Sequence, residues 1–214
     1  TSIKTGRTMQ EIENNEKKEI VKNPFNKVNV QLAKLTDTVP ADDNWLYEIK
    51  YDGYRIVAFI ENGKTKLITR NNKNFTDNFK PIANTLSEFF SNQTMVLDGE
   101  IVIIDENGKT DFQLLQNHMN NNRGNLTYAI FDILALNGKD LRNIPLTERK
   151  EILEKLMKNA PGNLYYSSHV VGNDKEIFNA ACKANMEGII GKKISSVYDG
   201  TRSGNWIKLK CDNR

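Results

Sequence analysis

The most regular pattern in the chain is an alternation of short apolar runs with polar turns, which predicts strands more often than helices. Three runs between Trp45 and Arg70, "WLYEIK", "YRIVAFIE" and "KLITR", have the length and the β-branched and aromatic content of strands. The turn "NGK" between the last two predicts a hairpin. The stretch "TMVLDGEIVIID" predicts a pair of strands broken at Asp98–Gly99, and "LTYAIFDILAL" predicts one buried strand. Two further strands are predicted in "EGIIGKKI" and "WIKLKC".

Helical periodicity is confined to a few segments between these strands. Pro81 can open a helix through Phe90, because the apolar residues of this segment recur at helical spacing. "DFQLLQNHMN" and "DKEIFNAACKAN" predict two more helices. "LTERKEILEKLM" predicts an amphipathic helix capped by Thr147. Strands joined by hairpins, with helices between them, indicate an α+β fold with mainly antiparallel sheets flanked by helices.

The beginning of the chain differs from the rest in having no sustained apolar face. Thr8 starts "TMQEIENNEKK", which predicts a capped polar helix. We therefore expect residues 1–38 to form an N-terminal arm or linker and residues 39–214 to form one folded domain.

Composition excludes some classes of protein without indicating a function. With 38% hydrophobic and 27% charged residues the chain is typical of globular proteins. The mean hydropathy of -0.58 and the lack of a long apolar run argue against a transmembrane helix, and no signal peptide is recognisable. Cys182 and Cys211 belong to no CxxC or Cys/His pattern, so we expect a reduced, cytoplasmic protein. A net charge of +3 is too small to indicate a nucleic-acid partner.

Charged residues interrupt several of the predicted strands, where an ionised group facing inward is costly unless it is paired or binds a ligand. Residues two positions apart on a strand lie on one face. Each pair alone is compatible with the solvated face of an antiparallel sheet, but together they predict a pocket for phosphates and a metal. The residues concerned are Lys50 with Asp52, Asp98 with Glu100, Lys208 with Lys210, and Glu187 at the start of "EGIIGKK".

Lys50 is the best candidate for a nucleophile, because it ends a strand directly before the Asp52–Gly53 turn. A lysine amine has an ordinary pKa of about 10.4, and the nearby cations Arg55, Lys208 and Lys210 would favour its neutral, nucleophilic form. The expected chemistry is attack of this amine on a phosphorus atom. The pattern GxxxxGK[ST] is absent, so this is not P-loop chemistry.

Glu100 and Glu187 are the candidate metal ligands. Carboxylate oxygens suit Mg²⁺, which often shares its coordination with substrate phosphates. Mg²⁺, or Mn²⁺ in its place, would neutralise charge on the phosphates.

The order of the motifs carries more information than any one of them. "EIKYDGYR", "TRN", "LDGE", "YAIFD", "EGIIGKK" and "WIKLK" resemble the nucleotidyltransferase motifs of ATP-dependent DNA ligases. From about Val39 to Cys211 the chain especially resembles the ligase module of bacterial end-joining ligase D, through "FQLLQN", "LTERK" and "GTRSGNWIKLKC". The resemblance implies a nucleotidyltransferase (ATP-grasp-like) ligase fold. It also implies that Lys50 attacks the α-phosphate of ATP and that the resulting lysyl-AMP passes its AMP to a DNA 5′-phosphate.

The resemblance also implies roles for individual residues. Phe131 would stack on adenine, although an aromatic residue in an apolar strand is also an ordinary core residue. Arg70 would contact ribose or the nick, or else cap a surface turn, and Arg202 would bind phosphate or hold its loop. The other implied roles are adenine recognition at Glu48 and Ile49, ribose or phosphate contact at Arg55 and Glu100, metal binding at Glu100 and Glu187, and phosphate contact at Lys192, Lys208 and Lys210.

Several alternatives and expectations remain open at this point. An mRNA capping guanylyltransferase shares Lys-x-Asp-Gly but uses GTP, an RNA ligase is a further sibling, and a non-catalytic nucleic-acid-binding module would keep only the fold.

The family usually continues into an OB-fold domain, which we expect to be absent here because the chain stops at Arg214. We expect a monomer that acts on nicked or broken duplex DNA near the nucleoid of a prokaryote, with a Ku-type protein as a further partner. Relatives often have serine where Gly191 stands.

Overall fold

The computed structural model describes residues 21–40, 42–104, 110–121, 125–172 and 174–211. The helix predicted from Thr8 lies outside these residues. The helices are α1 (Lys80–Phe89), α2 (Phe112–Asn121), α3 (Leu146–Met157) and α4 (Asp174–Lys183). The strands are β1 (Lys34–Leu35), β2 (Trp45–Ile49), β3 (Tyr54–Glu61), β4 (Lys64–Thr69), β5 (Met95–Ile103), β6 (Leu126–Leu136), β7 (Lys139–Asp140), β8 (Leu164–Tyr166), β9 (Val170–Val171), β10 (Gly188–Lys193) and β11 (Trp206–Lys210).

These strands form two sheets, and most of their pairings are antiparallel. The first sheet has five strands in the order β1-β11-β10-β2-β9, and the second has six in the order β4-β3-β5-β6-β7, with β8 added beside β6. Only β1 with β11 and β8 with β6 are parallel pairs among the described strands. The predicted α+β class with mainly antiparallel sheets is confirmed.

Three apolar clusters position the sheets and helices. The largest packs α1, α2 and α3 on one face of the six-stranded sheet. A second lies between the two sheets and includes Val57, Val96, Phe131 and Trp206. The third packs α4 on the outer face of the five-stranded sheet. The inner faces of both sheets therefore meet, and polar residues on those faces enclose a site between them.

Part of the predicted N-terminal arm packs against the domain. Val28 and Val30 are buried in the cluster between the sheets. β1 pairs with β11 through Lys34–Ile207 and Leu35–Lys208. Residues of this segment are thus in contact with the strand that carries the predicted phosphate-binding lysines.

The break predicted at Asp52–Gly53 is confirmed, and it has a structural reason. β2 belongs to the five-stranded sheet and β3 to the six-stranded sheet, so Lys50–Gly53 is the crossing between them. A β-carbon on Gly53 would overlap the carbonyl oxygen of Ile101 on β5. The chain can cross here only because residue 53 has no side chain.

Two local predictions are wrong. Asp98–Gly99 does not separate two strands, because β5 runs unbroken from Met95 to Ile103 with a register shift against β6 at this dipeptide. Thr147 does not cap α3, which begins one residue earlier after Pro145 and has no side-chain cap hydrogen bond. Of the described helices, none is long and apolar enough to cross a membrane.

The expectation of reduced cysteines is also wrong. Cys182 on α4 and Cys211, directly after β11, form a disulfide across 29 positions of sequence. The sequence alone does not indicate this pairing, because spacing along the chain does not reveal that α4 packs on the sheet next to the end of β11. The disulfide ties α4 to the strand end that follows Lys208 and Lys210.

Candidate active site

A cavity of about 220 Å³ lies between the inner faces of the two sheets. The five-stranded sheet contributes residues of β2, β10 and β11, and the six-stranded sheet contributes residues of β3, β5 and β6. Nine of the eleven predicted site residues line this cavity: Glu48, Ile49, Lys50, Arg55, Arg70, Glu100, Phe131, Lys192 and Lys208. The other two adjoin it, Glu187 through its ion pair with Lys50 and Lys210 through its contact with Glu187.

Lys50 lies at the end of β2 and forms an ion pair with Glu187. The main chain fixes both residues, because Lys50 N–H donates to the Gly188 carbonyl and Cys211 N–H donates to the Glu187 carbonyl. Lys210 Nζ lies 3.8 Å from the other Glu187 oxygen. The group in direct contact with the Lys50 amine is therefore a carboxylate, and not one of the cations that the sequence suggested.

Glu100 lies on β5, opposite Arg55 in the register with β3. Burial raises the pKa of its carboxyl group from 4.5 to about 7, although the charges of Arg55 and Lys50 oppose the rise. A carboxyl group with this pKa changes protonation near neutral pH. Its charge will respond to any cation that enters the cavity.

Arg55 is held in a fixed orientation beneath the cavity. Its Nε and Nη2 donate to the two carboxylate oxygens of Asp98 at 2.7 Å each, and Nη2 also donates to the Gln31 carbonyl at 3.1 Å. Tyr198 Oη donates to Asp98 at 2.6 Å. Asp98, which sequence analysis left without a separate role, is thus the residue that orients Arg55.

Phe131 serves both the core and the cavity. It is 7% exposed, packs edge-on against Trp206 with ring centroids 5.9 Å apart, and still lines the cavity wall. The guanidinium carbon of Arg55 lies 4.8 Å from the Phe131 ring centroid, and Lys192 Nζ lies 4.3 Å from it. Trp206 also lines the cavity but was not among the predicted site residues, because a tryptophan at the start of a strand is typical of ordinary core packing.

Lys192 differs in its surroundings from the other predicted phosphate-binding lysines. It is 1% exposed, its Nζ donates to Glu48 at 2.9 Å, and it lies 4.2 Å from the Trp206 ring. Burial lowers the pKa of Lys192 to about 8, with Glu48 opposing the fall. The structure thus places this ammonium group between the two aromatic rings and Glu48.

Glu48 has both carboxylate oxygens engaged. Lys150 donates to Oε1 at 2.8 Å, and Lys192 and Ser167 donate to Oε2 at 2.9 and 3.0 Å. Burial alone would raise the pKa of Glu48, but Lys150 and Lys192 together lower it. Lys150 and Ser167 were not among the predicted site residues, because "LTERK" is also typical of a solvated helix face.

The remaining cations border the open side of the cavity. Lys208 has a lowered pKa because of partial burial and then the charges of Lys50, Lys210 and Arg202. It alternates along β11 with Ile207 and Leu209, which face the opposite side, so the predicted shared face of Lys208 and Lys210 is confirmed. Arg202 lines the cavity while its Nη1 donates to the Ala33 carbonyl at 2.7 Å, so it holds its loop as well as facing the site.

Gly191 lies on β10, and its surroundings explain the small residue. A β-carbon here would lie 2.8 Å from Tyr47 Cε1 and 2.9 Å from Ile207 Cγ1. β10 is packed between β2 and β11, and a serine would require these neighbours to move.

The residues present fit a hard divalent cation only in part. No group of three or more His, Cys, Asp or Glu side chains that could hold a metal ion occurs in the described parts of the chain. Glu100 and Glu187 both act on the Lys50 amine, the first through its charge and the second by direct contact. Two carboxylates with substrate phosphate oxygens and water suit Mg²⁺, which rarely has an all-protein site.

Comparison with known proteins gives consistent matches. The family model described as the ATP dependent DNA ligase domain matches residues 20–210. A multifunctional non-homologous end joining protein LigD of Pseudomonas aeruginosa is 39% identical over 186 residues, which is 86% of this chain and 22% of that protein. A prophage-derived DNA ligase-like protein LigB of Bacillus subtilis is 33% identical over 171 residues, 78% of this chain and 62% of that protein. The chain therefore spans less than two thirds of these relatives.

Solved structures agree with the sequence matches. The ligase domain of Mycobacterium tuberculosis LigD superimposes with a TM-score of 0.75 at 27% identity, covering 85% of this chain and 60% of that one. A mycobacterial DNA ligase D complexed with ATP and MES gives a TM-score of 0.74 at 28% identity, covering 87% and 62%. The two-sheet architecture described above is the fold of these ligase domains.

Proposed function

Because the chain belongs to the family of ATP-dependent DNA ligase domains, we propose that it performs adenylyl transfer, with Lys50 as the nucleophile. The Lys50 amine attacks the α-phosphorus of ATP, a P–N bond forms, and the bond to the leaving pyrophosphate breaks. The AMP is then passed to a 5′-phosphate at a nick or break in duplex DNA. The observation that carries this proposal is the position of Lys50 in one cavity with an aromatic wall, two carboxylates and several cations.

The attack requires that the lysine amine lose a proton, and Glu187 is in contact with it. The carboxylate is therefore the first acceptor available to that proton. Because Lys50 ends a strand whose main chain is bonded to Gly188, its amine needs little reorganisation before reaction. Fixing the reacting group in this way lowers the entropic part of the barrier.

The other residues of the cavity are proposed to bind either the base and ribose or the phosphates of ATP. Phe131 is proposed to stack on the adenine ring, with Glu48 and Ile49 at its edge, and Arg55 is proposed to face the ribose or α-phosphate. Arg70, Lys208 and Lys210 lie on or near the open side and would meet the triphosphate. Lys192 would stabilise the base pocket through Glu48 and the aromatic rings, because its ammonium is already paired there.

Glu100 and Glu187 are the residues that would hold Mg²⁺ or Mn²⁺. When bound, the metal would neutralise charge on the phosphate oxygens.

The names of the relatives point to end joining, so we also propose broken duplex DNA as substrate, a Ku-type end-binding protein as partner, and a monomer as the acting unit.

Intact-mass measurement before and after incubation with ATP and Mg²⁺ tests the reaction. We expect the wild-type chain to gain the mass of one AMP, resistant to denaturation, and the Lys50→Ala variant to gain none. Lys66→Ala is a matched control, since Lys66 is exposed on β4 away from the cavity.

Incubation with GTP distinguishes this function from that of a capping guanylyltransferase, and transfer of AMP to nicked DNA or nicked RNA distinguishes a DNA ligase from an RNA ligase. A Lys50→Ala chain that still acquires a stable AMP would refute this nucleophile, and a wild-type chain that acquires none would favour the non-catalytic alternative.

A further inference from the structure

Lys150 is a fully buried lysine close to the cavity but outside its lining. It lies on α3 and is 1% exposed. Its Nζ donates to Glu48 Oε1 at 2.8 Å, to the Ser167 carbonyl at 2.7 Å and to the Phe131 carbonyl at 3.3 Å. An ammonium group has three protons, so every donor of Lys150 is used.

The three acceptors belong to three different segments around the base side of the cavity. Glu48 lies on β2 two residues before Lys50, Phe131 lies on β6 in the other sheet, and Ser167 follows β8. Lys150 therefore links the main chain of Phe131, which forms the aromatic wall, to Glu48, one of the carboxylates that line the cavity. Displacing this one ammonium group would release contacts to both sheets at once.

Stability alone is a weak reason for this arrangement. Buried ion pairs often contribute little net stability compared with apolar residues of the same volume, because both charges lose their hydration. Here a single carboxylate is held by two lysines and one hydroxyl group. What the arrangement does achieve is a fixed orientation of the Glu48 carboxylate.

The orientation of Glu48 determines which base edge it can bind. A carboxylate has about four acceptor positions, and three are occupied, so one remains for a ligand. Adenine presents a donating amino group at C6, whereas guanine presents an accepting oxygen there. A fixed, ionised carboxylate beside Phe131 therefore suits adenine and is repelled by the corresponding edge of guanine.

We propose that Lys150 is a positioning residue that holds the Glu48 carboxylate toward the 6-amino group of the bound base, and thereby sets the selectivity for adenine nucleotides. The inference rests on the proposed adenylyl transfer. Lys150 does not touch the nucleotide itself; it acts through Glu48, while its bonds to the Phe131 and Ser167 carbonyls hold the lysine in place.

The test compares ATP with purine riboside triphosphate, an analogue that lacks the 6-amino group. Covalent nucleotide attachment is measured as a function of concentration for the wild type, Lys150→Met and the control Lys155→Met, which changes an exposed lysine on the same helix. In Lys150→Met we expect kcat/KM for ATP to fall about tenfold, mainly through KM, as the loss of about 1.4 kcal/mol of binding would produce. The analogue should be affected less than about twofold, since it makes no bond that depends on Glu48. The control should match the wild type with both nucleotides.

Equal losses with ATP and with the analogue would overturn the inference and assign Lys150 a purely structural role. Ser167→Ala is a second variant in case Lys150→Met does not fold. It removes the hydroxyl group that donates to Glu48 and also bonds Tyr51, and it keeps the carbonyl that Lys150 binds. It should lower the preference for ATP about threefold, as expected for the loss of a modest hydrogen bond, and an unchanged preference would overturn the inference. A wild-type chain that attaches neither nucleotide would instead refute the proposed function.

Discussion

The protonation of Glu100 gives a prediction that depends on the structure and not on any substrate. Its pKa is raised from 4.5 to about 7 in the folded chain, because burial outweighs the charges of Arg55 and Lys50. A group with a raised pKa binds more protons in the folded state than in the unfolded state between these two values. Its contribution to stability is therefore fully present below pH 4.5 and is lost as the pH rises through 7.

The perturbation is Glu100→Gln, which keeps the shape of the side chain but cannot ionise. The rise in the pKa of Glu100 from 4.5 to about 7 corresponds to about 3 kcal/mol of free energy. The wild type loses a small part of this free energy below pH 5. The free energy of unfolding of the variant relative to the wild type should therefore rise by about 2 to 3 kcal/mol from pH 5 to pH 8. Stability itself changes with pH for many reasons, but this difference isolates one carboxyl group.

Urea unfolding at pH 5, 6, 7 and 8 measures the effect, with both chains in the same buffers. Glu88→Gln is the matched control, because Glu88 is exposed on α1, and its difference from the wild type should stay constant within about 0.5 kcal/mol. A difference for Glu100→Gln that is equally flat, or that falls with pH, would show that Glu100 ionises normally and that the cavity is better hydrated than its geometry indicates.

Three further predictions concern the cavity wall, the disulfide and the sheet crossing. Phe131→Leu should weaken ATP binding about fivefold to a hundredfold in titration calorimetry, as expected for a stacking contact of about 1 to 3 kcal/mol; unchanged affinity with a lower melting temperature would leave Phe131 as a core residue only. Reduction of the Cys182–Cys211 disulfide, whose partners are 29 positions apart, should lower the free energy of unfolding by about 3 to 4 kcal/mol. The free energy of unfolding of the double variant Cys182→Ser/Cys211→Ser should be the same with and without reductant. If reductant also leaves the free energy of unfolding of the wild type unchanged, the disulfide does not form. Gly53→Ala should cost about 2 to 3 kcal/mol through overlap with β5, whereas Gly162→Ala, which has open space around it, should be nearly neutral, so equal effects would argue against a close approach at residue 53.

The sequence predicted most elements because their apolar periodicity is local. The strands from Trp45 to Thr69, the long strand β6 and the four described helices lie where the pattern placed them. Two of the Asp–Gly dipeptides show the limit of what local sequence can predict. Asp52–Gly53 interrupts the chain between two sheets, whereas Asp98–Gly99 lies inside β5, where a β-carbon on Gly99 would come 2.5 Å from the Ala129 carbonyl oxygen of β6. Both glycines allow a close approach of another strand, and only the tertiary structure determines whether the chain also turns.

The residues of the candidate site were predicted less completely than the helices and strands, again because sequence patterns carry only local information. Residues that line the cavity directly belong to motifs that the sequence shows, and nine of the eleven are found there. The residues that orient them lie far away along the chain: Lys150 is 102 positions from Glu48, and Tyr198 is 100 positions from Asp98. A buried lysine and a solvated one have the same local pattern on an amphipathic helix. Their difference arises only when α3 packs on β6.

The orienting residues explain why a site between two sheets can be well defined. The proposed nucleophile Lys50 follows a strand of one sheet, while Arg55, Glu100 and Phe131 belong to the other. The relative position of the sheets must therefore be fixed if the amine is to meet a nucleotide held against Phe131. The main-chain crossing at Lys50–Gly53 fixes it on one side of the cavity, and Lys150, bonded to both Glu48 and the Phe131 carbonyl, fixes it on the other. A nucleotide that contacts both sheets would add a third link, so its binding should stabilise the folded chain according to its concentration relative to Kd.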